Sequence, residues 1–300
     1  QTWAERLSHT ENLSADGVKD NPVILSKPRR KFSGVDVLEG NFFESAVVKI
    51  SGMTSHQLDQ FDEKISFVLY FQNEEEANKH LLNTELLGDL RDRKEFPREH
   101  LLTMWQHNQP DTFDQAQNLE YNELFDRMVD DEILKITIII AGQGPEAFGM
   151  PEMFTPMQHI NANRQLKRLA TLISDGRYSG VTYGAAIGHM TPEALNEGGI
   201  LYLQQGDVLL LRFRSKRIEL LDMAEFDQGN IKLFNGDLKA ERAEIGQQRK
   251  ETMKKRQKLV AASNRLVGCT DASEGVVPLA VKMDADIPFK REAKSSVQAK

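Results

Sequence analysis

Ile133-Leu134-Lys135-Ile136-Thr137-Ile138-Ile139-Ile140 runs directly into Ala141-Gly142-Gln143-Gly144-Pro145. The first part is β-branched, of strand length, and almost continuously apolar. A strand with one wet face alternates polar and apolar residues, whereas one covered on both faces reads like this. Glycine and proline then end the strand and shape a rigid loop. The pattern recurs downstream, where Leu169-Ala170-Thr171-Leu172-Ile173 leads into Ser174-Asp175-Gly176-Arg177-Tyr178-Ser179-Gly180. Two buried strands that each end in a glycine-rich loop are a common way to build a site on the end of a sheet.

Upstream, Ala46–Ile50 and Ile65–Phe71 are further strand candidates, rich in β-branched and aromatic residues. Asn73 followed by Glu74, Glu75 and Glu76 is a helix N-cap with an acidic first turn, and Ala77, Leu81, Leu82 and Leu86 follow at helical spacing. His100–His107 and Gln115–Met128 predict two more helices, with Trp105 and the stripe Leu119, Leu124, Phe125, Met128 as core. Downstream, Gly199–Leu203 and Asp207–Phe213 flank Gln204-Gln205-Gly206 and predict a hairpin, and Arg217–Leu221 predicts a short strand. Leu238–Leu259 mixes acids and bases in the manner of a solvated helix. The fold class expected is mixed α/β. Residues 1–34 read as an extended arm or linker remnant, 35–290 as one domain, and 291–300 as a frayed tail.

The chain has 300 residues, 40% hydrophobic and 28% charged, with a net charge of −7. Acids and bases are interspersed, so nucleic acid is a poor partner. Lys27–Lys31 is a local basic run that reads as a solvated loop. A single cysteine, Cys269, excludes a disulfide framework within the chain, reads as a small structural or surface residue, and matches a cytoplasmic setting. No apolar run approaches the ~20 residues that span a bilayer. The first residues, Gln-Thr-Trp-Ala-Glu-Arg, carry no signal pattern and no initiator methionine, as a fragment would.

Chemistry concentrates in the two loops. Glu146 and Glu152 lie in Gly142–Met153; on a rigid loop, either suits a hard cation such as Mg2+, faces water, or caps a helix. In the second loop small residues allow backbone amides to approach an anion. Ser174, Arg177 and Thr182 are its candidate substrate-binding groups, beside the hydroxyls of Tyr178 and Ser179 and the charge of Asp175. No Gly-x-Ser-x-Gly elbow is present. His189 reads as a structural histidine or a general base.

Taken together, Gly149-Met150-Pro151-Glu152-Met153, Ser174–Gly180, Ile187-Gly188-His189-Met190-Thr191-Pro192-Glu193-Ala194, Gly198-Gly199 and Gly206-Asp207 resemble the dihydroxy-acid and 6-phosphogluconate dehydratases in order and spacing. Leu38–Lys49 resembles an earlier Gly-Asn segment of the same family, so the likeness spans about Val35 to Leu221. The resemblance implies a β-barrel-like swivelling C-terminal domain flanked by helices. It implies Glu152 as a Mg2+ ligand and Ser179 as the proton-abstracting base. It also implies an iron–sulfur cluster whose ligands belong to an N-terminal domain, and a full-length protein that forms homo-oligomers. Phe42-Phe43-Glu44, Gln143–Phe148 and Val181 depart from the commonest branch and resemble sugar-acid, xylonate-type members. The function expected is therefore dehydration of a sugar acid to a 2-keto-3-deoxy acid, with this chain inactive by itself. Dihydroxy-acid dehydration, a stand-alone Mg2+ lyase and a non-catalytic binding domain that keeps the fold are the alternatives.

Overall fold

The computed structural model describes residues 35–51, 58–178 and 184–261. The expectations for 1–34, for the tail, and for Ser179, Thr182 and Cys269 lie outside them.

The described strands are β1 (Val35–Leu38), β2 (Ser45–Ser51), β3 (Lys64–Phe71), β4 (Ile136–Ile140), β5 (Ala170–Ser174), β6 (Gly184–Thr191), β7 (Val208–Arg212) and β8 (Arg217–Leu220). They form one sheet in the order β1-β2-β6-β5-β4-β3-β7-β8. The middle four, β6-β5-β4-β3, run parallel, and an antiparallel pair extends each side. The two edges then meet: Glu39 N donates to Lys216 O at 3.0 Å and Ile218 N donates to Glu39 O at 3.0 Å. The sheet is therefore a barrel closed by a single bridge, which hides the edge groups that an open sheet would expose.

Side-chain alternation divides the core in two. Val68, Ile139, Ile173, Ile187, Leu209 and Ile218 point into the barrel with Leu38 and Val48. Phe67, Leu69, Ile136, Ile138, Ile140 and Leu172 point outward. All five residues of β4 are buried, which is why its sequence is continuously apolar. Each such side chain contributes about 1.5–3 kcal/mol by leaving water. The barrel interior also holds a hydroxyl chain across three strands, Ser66 to Thr137 at 2.7 Å and Thr137 to Thr171 at 3.0 Å. These groups satisfy one another, so their burial carries little penalty.

The outer layer is helical: α1 (Glu74–Leu81), α2 (Leu86–Asp92), α3 (Arg98–Asn108), α4 (Tyr121–Asp130), α5 (Pro145–Phe148), α6 (Phe154–Ala162), α7 (Leu166–Leu169), α8 (Met223–Phe226), α9 (Leu238–Glu241) and α10 (Ala243–Ala261). Asn73 caps α1 as predicted: its Oδ1 accepts from Glu76 N at 2.8 Å, and Glu76 Oε2 accepts from Gln72 N at 3.0 Å. This reciprocal pair satisfies two amides at the helix start. Trp105, Leu124, Phe125 and Met128 are fully buried against the outer face of the sheet, and Leu119 packs beside them. Among the described residues no helix is long and apolar enough to cross a membrane.

Several local expectations fail, each for a physical reason. Helix α1 ends at Leu81, leaving Leu82 63% exposed, and Leu86 opens a new helix. A 3-10 turn at Pro110–Gln115 precedes α4, which starts at Tyr121 rather than Gln115. The predicted hairpin is displaced: β7 pairs with β8, while Gly199–Leu201 is a 3-10 turn. Ladder bonds are not needed there. Arg242 Nη1 donates to Tyr202 O at 2.9 Å, and Arg249 Nη1 donates to Leu201 O and Leu203 O at 2.6 and 2.5 Å. The Gly199 backbone also lies so close to Phe42 that a Cβ would sit 1.7 Å from Phe42 O, which accounts for glycine at this position. Strand β6 was not legible at all. Its small residues have low strand propensity, yet pairing with β2 and β5 fixes it.

Candidate functional site

Parallel pairing in register, Ile140 with Ser174, brings the ends of β4 and β5 together. The two glycine-rich loops therefore leave the same rim of the barrel side by side. In the first, Gly144 and Pro145 start the short helix α5, and Gly149 ends it at φ +80°, a conformation glycine adopts without strain.

Asp175 binds the loops together from within. It is fully buried, and its Oδ1 accepts from Gln143 N at 2.8 Å while Oδ2 accepts from Gly142 N at 3.1 Å and Ala194 N at 2.9 Å. Burial raises its carboxyl to about 6, against the opposing pull of those backbone donors. Sequence reading offered Asp175 as available charge; with no exposed surface, it is instead an internal anchor for three segments. Glu193, also buried, accepts from Glu146 N at 2.8 Å and Ala147 N at 3.1 Å, a carboxylate at the start of α5. Sequence reasoning missed the roles of both acids. The only available signal was an ionisable residue in an otherwise small and apolar run.

On the outer side of the same loops, Glu152 and Arg177 meet. Arg177 Nη1 donates to Glu152 Oε1 at 2.6 Å, and its Nε donates to Met150 O at 3.0 Å. Their backbones are joined as well, through Met153 N to Arg177 O at 2.8 Å and Arg177 N to Pro151 O at 3.2 Å. Both side chains keep solvent contact, 38% for Glu152 and 46% for Arg177. Ser174 is buried, and its Oγ accepts from Gly176 N at 2.9 Å. Glu146 lies in the first turn of α5, half-buried. Three of the sequence-chosen residues, Glu152, Arg177 and Ser174, thus share one rim; Ser179 and Thr182 lie outside the described residues.

His189, near the end of β6, donates its backbone N–H to Gly176 O at 2.8 Å. Burial, and then the positive charge of Arg177, lower its imidazole to about 4. A depressed histidine contributes stability that is complete above its unfolded value of about 6.5 and is lost as pH falls through about 4. The stability difference between the wild type and His189→Gln should therefore be flat above pH 6.5. It should fall by at least about 1 kcal/mol toward pH 4. Urea titrations of both proteins at several pH values check this, and a flat difference throughout refutes it.

Helix α10 braces the first loop. Met253 fills the space over Gly142, Gln257 Nε2 donates to Glu146 O at 2.8 Å, and the Arg256 guanidinium lies 3.4 Å above the Phe148 ring. The charged helix read from sequence as solvated thus has one face on the site loop.

The donor set can be compared with the cofactors that the resemblance implies. Glu152 uses Oε1 on Arg177 and leaves Oε2 without a protein donor among the described residues, so it fits as one oxygen ligand to a hard cation. No three His, Cys, Asp or Glu side chains converge as a metal set among the described residues. A cluster needs three or four cysteines, and the chain has one; its residues do not fit an iron–sulfur group by themselves.

The family model for the dihydroxy-acid/6-phosphogluconate dehydratase C-terminal region matches residues 105–272. Among similar proteins, the dihydroxy-acid dehydratase of Syntrophobacter fumaroxidans is 44% identical over 85 residues, 28% of this chain and 15% of that protein. That of Pyrococcus furiosus is 40% identical over 85 residues, again 28% and 15%. The dihydroxy-acid dehydratase of Streptococcus mutans is 27% identical over 219 residues, 73% of this chain and 29% of that protein. The matches thus cover between 15% and 29% of these relatives' own length. Matched over more than half its length by a model that spans both site loops, this chain belongs to the dihydroxy-acid/6-phosphogluconate dehydratase family and corresponds to its C-terminal part.

Proposed function

We propose that this chain is the C-terminal part of a hydro-lyase that converts a 2,3-dihydroxy acid to a 2-keto acid. The observation that carries this reading is the rim itself. Two family motifs, one with Glu152 and one with Arg177, leave adjacent parallel strands and join at 2.6 Å.

In this reading Ser179 takes the proton from C2, the C3 hydroxyl leaves as water, and the resulting enol tautomerises to the ketone. Arg177 holds Glu152 in place and binds the substrate carboxylate, with Thr182 as a second candidate; Ser174, expected from sequence to join them, is buried with its Oγ on Gly176 N and shapes the loop instead. The Asp175 anchor ties the start of its own loop to the loop that carries Glu152. When bound, with Glu152 as one ligand, Mg2+ would stabilise the negative charge that develops on the substrate. Iron–sulfur ligands would come from outside this chain. The same reading makes the full-length protein a cytoplasmic homo-oligomer.

The names of the relatives favour a dihydroxy acid that is not a sugar acid as substrate. A second reading, a sugar acid such as xylonate, is favoured by Gln143–Phe148, the segment in which this loop departs from the commonest family pattern. The test is a substrate comparison with the full-length enzyme, following 2-keto acid formation from 2,3-dihydroxyisovalerate and from xylonate. The better kcat/KM decides between the two. Keto acid from neither, with metal and cluster loaded, would overturn the dehydratase reading.

A further inference from the structure

A cleft of about 450 Å3 opens between the segment leaving β3, the turn before β7, and the middle of α10. That size suits a small molecule. Its walls are Gln72, Gln204, Gln248, Arg249, Thr252 and one apolar residue, Ile245, with the tip of Gln205 at the edge. None of these belongs to the rim that carries Glu152 and Arg177.

Arg249 is the charged group of the cleft. Its Nη1 is held by the carbonyls of Leu201 and Leu203, and its guanidinium stacks 3.7 Å from the centre of the Tyr70 ring. Among the described residues its Nε and Nη2 have no protein acceptor, and no carboxylate lies within ion-pair distance. The two carboxylates that act on it do so from further away. Asp207 is already held by both terminal nitrogens of Arg242, at 2.6 and 2.8 Å, and Glu76 accepts from Gln72 N. Burial disfavours the charged form of Arg249, as expected of a half-buried cation without a close counter-ion. Beneath it the Tyr70 hydroxyl is buried with no partner among the described residues.

The amides around this cation are available. Gln205 is engaged, accepting from Tyr70 N at 2.9 Å and donating to Glu95 at 2.7 Å. The side chains of Gln72, Gln204 and Gln248 make no hydrogen bond to protein among the described residues. A planar guanidinium with two unused donors matches a carboxylate. Amides that both donate and accept match hydroxyl groups. One cation calls for one negative charge.

We infer that this cleft is a second ligand site, for a small hydroxylated monocarboxylate whose carboxylate is held by Arg249 and whose hydroxyls are held by Gln72, Gln204 and Gln248. It rests on the cleft alone and stands or falls independently of the dehydratase reading.

Titration calorimetry on the full chain tests it, with gluconate, sorbitol and inorganic phosphate as probes and Arg177→Ala as background to silence the first rim. Gluconate should bind with 1:1 stoichiometry, and sorbitol, which has the hydroxyls without the charge, should bind at least about tenfold more weakly. Gln248→Glu and Gln72→Glu place a like charge beside the ligand and should each weaken gluconate by about tenfold or more. Arg249→Gln should abolish binding; because Arg249 also braces Leu201 and Leu203, the two glutamine variants keep the test independent of folding. Absence of gluconate binding, equal binding of sorbitol, phosphate binding as tight as gluconate, or indifference to both glutamate variants would each overturn the assignment.

Discussion

Asp175→Ala is expected to destabilise the chain by on the order of 4 kcal/mol, because it strips the acceptor from three buried backbone amides at once. Gly142 and Gln143 lie in the loop after β4 and Ala194 follows β6, and all three N–H groups end on this one carboxylate of a third segment. An unpaired buried donor costs about 1–3 kcal/mol, and a domain has only about 5–15 kcal/mol in total. The urea midpoint should fall sharply with little change in slope. Asp175→Asn should cost less. Its one remaining oxygen can serve Gly142 and Ala194, while its NH2 group then faces the Gln143 N–H. The pH dependence separates the two effects. Burial has raised the carboxyl from 3.8 to about 6, so its contribution is complete below about 4 and is lost as pH rises through about 6. The deficit of Asp175→Asn should therefore be largest near pH 4 and shrink above pH 6. A deficit that grows with pH would show that the carboxylate is favoured in the fold, contrary to this account.

Ser179→Ala in the full-length enzyme is expected to lower kcat by at least about 100-fold, the lower end of what a positioned base contributes. The proton α to a carboxylate is only weakly acidic, so a variant without the base cannot compensate through binding. With Arg177 and Thr182 in the proposed substrate-binding role and Glu152 in the proposed metal-binding role, KM should change little and Mg2+ content should be unchanged. Loss confined to kcat, with metal retained, is the signature of a group that acts only in the transition state. Near-normal turnover would remove Ser179 from the mechanism and leave the family assignment intact. If Mg2+ were lost along with activity, the serine would be a structural part of the metal loop instead.

The sequence by itself determined the buried centre of the fold. Ile136–Ile140 and Ala170–Ser174 are strands because a continuous β-branched run can be satisfied only between two apolar layers, and both layers are present. It also determined that each strand would end in a glycine-rich loop, although the first of these loops holds the one-turn helix α5 between Gly144 and Gly149. The motifs carried the family, and the family was then shown over residues 105–272. Tertiary structure alone decided the rest. Strand β6 exists because β2 and β5 flank it, not because Gly184–Thr191 favours a strand. The expected hairpin at Gly199 gave way because arginines satisfy its carbonyls from 40 to 48 residues away. Asp175 read as charge available in the loop because burial is a property of the assembled rim, and no local pattern records it. The solvated helix near the end likewise proved to brace the loop between Gly142 and Phe148, through contacts more than 100 residues apart in sequence. Local propensity fixes what a segment prefers; which polar groups lose their water, and which partners replace it, is decided only when distant segments meet.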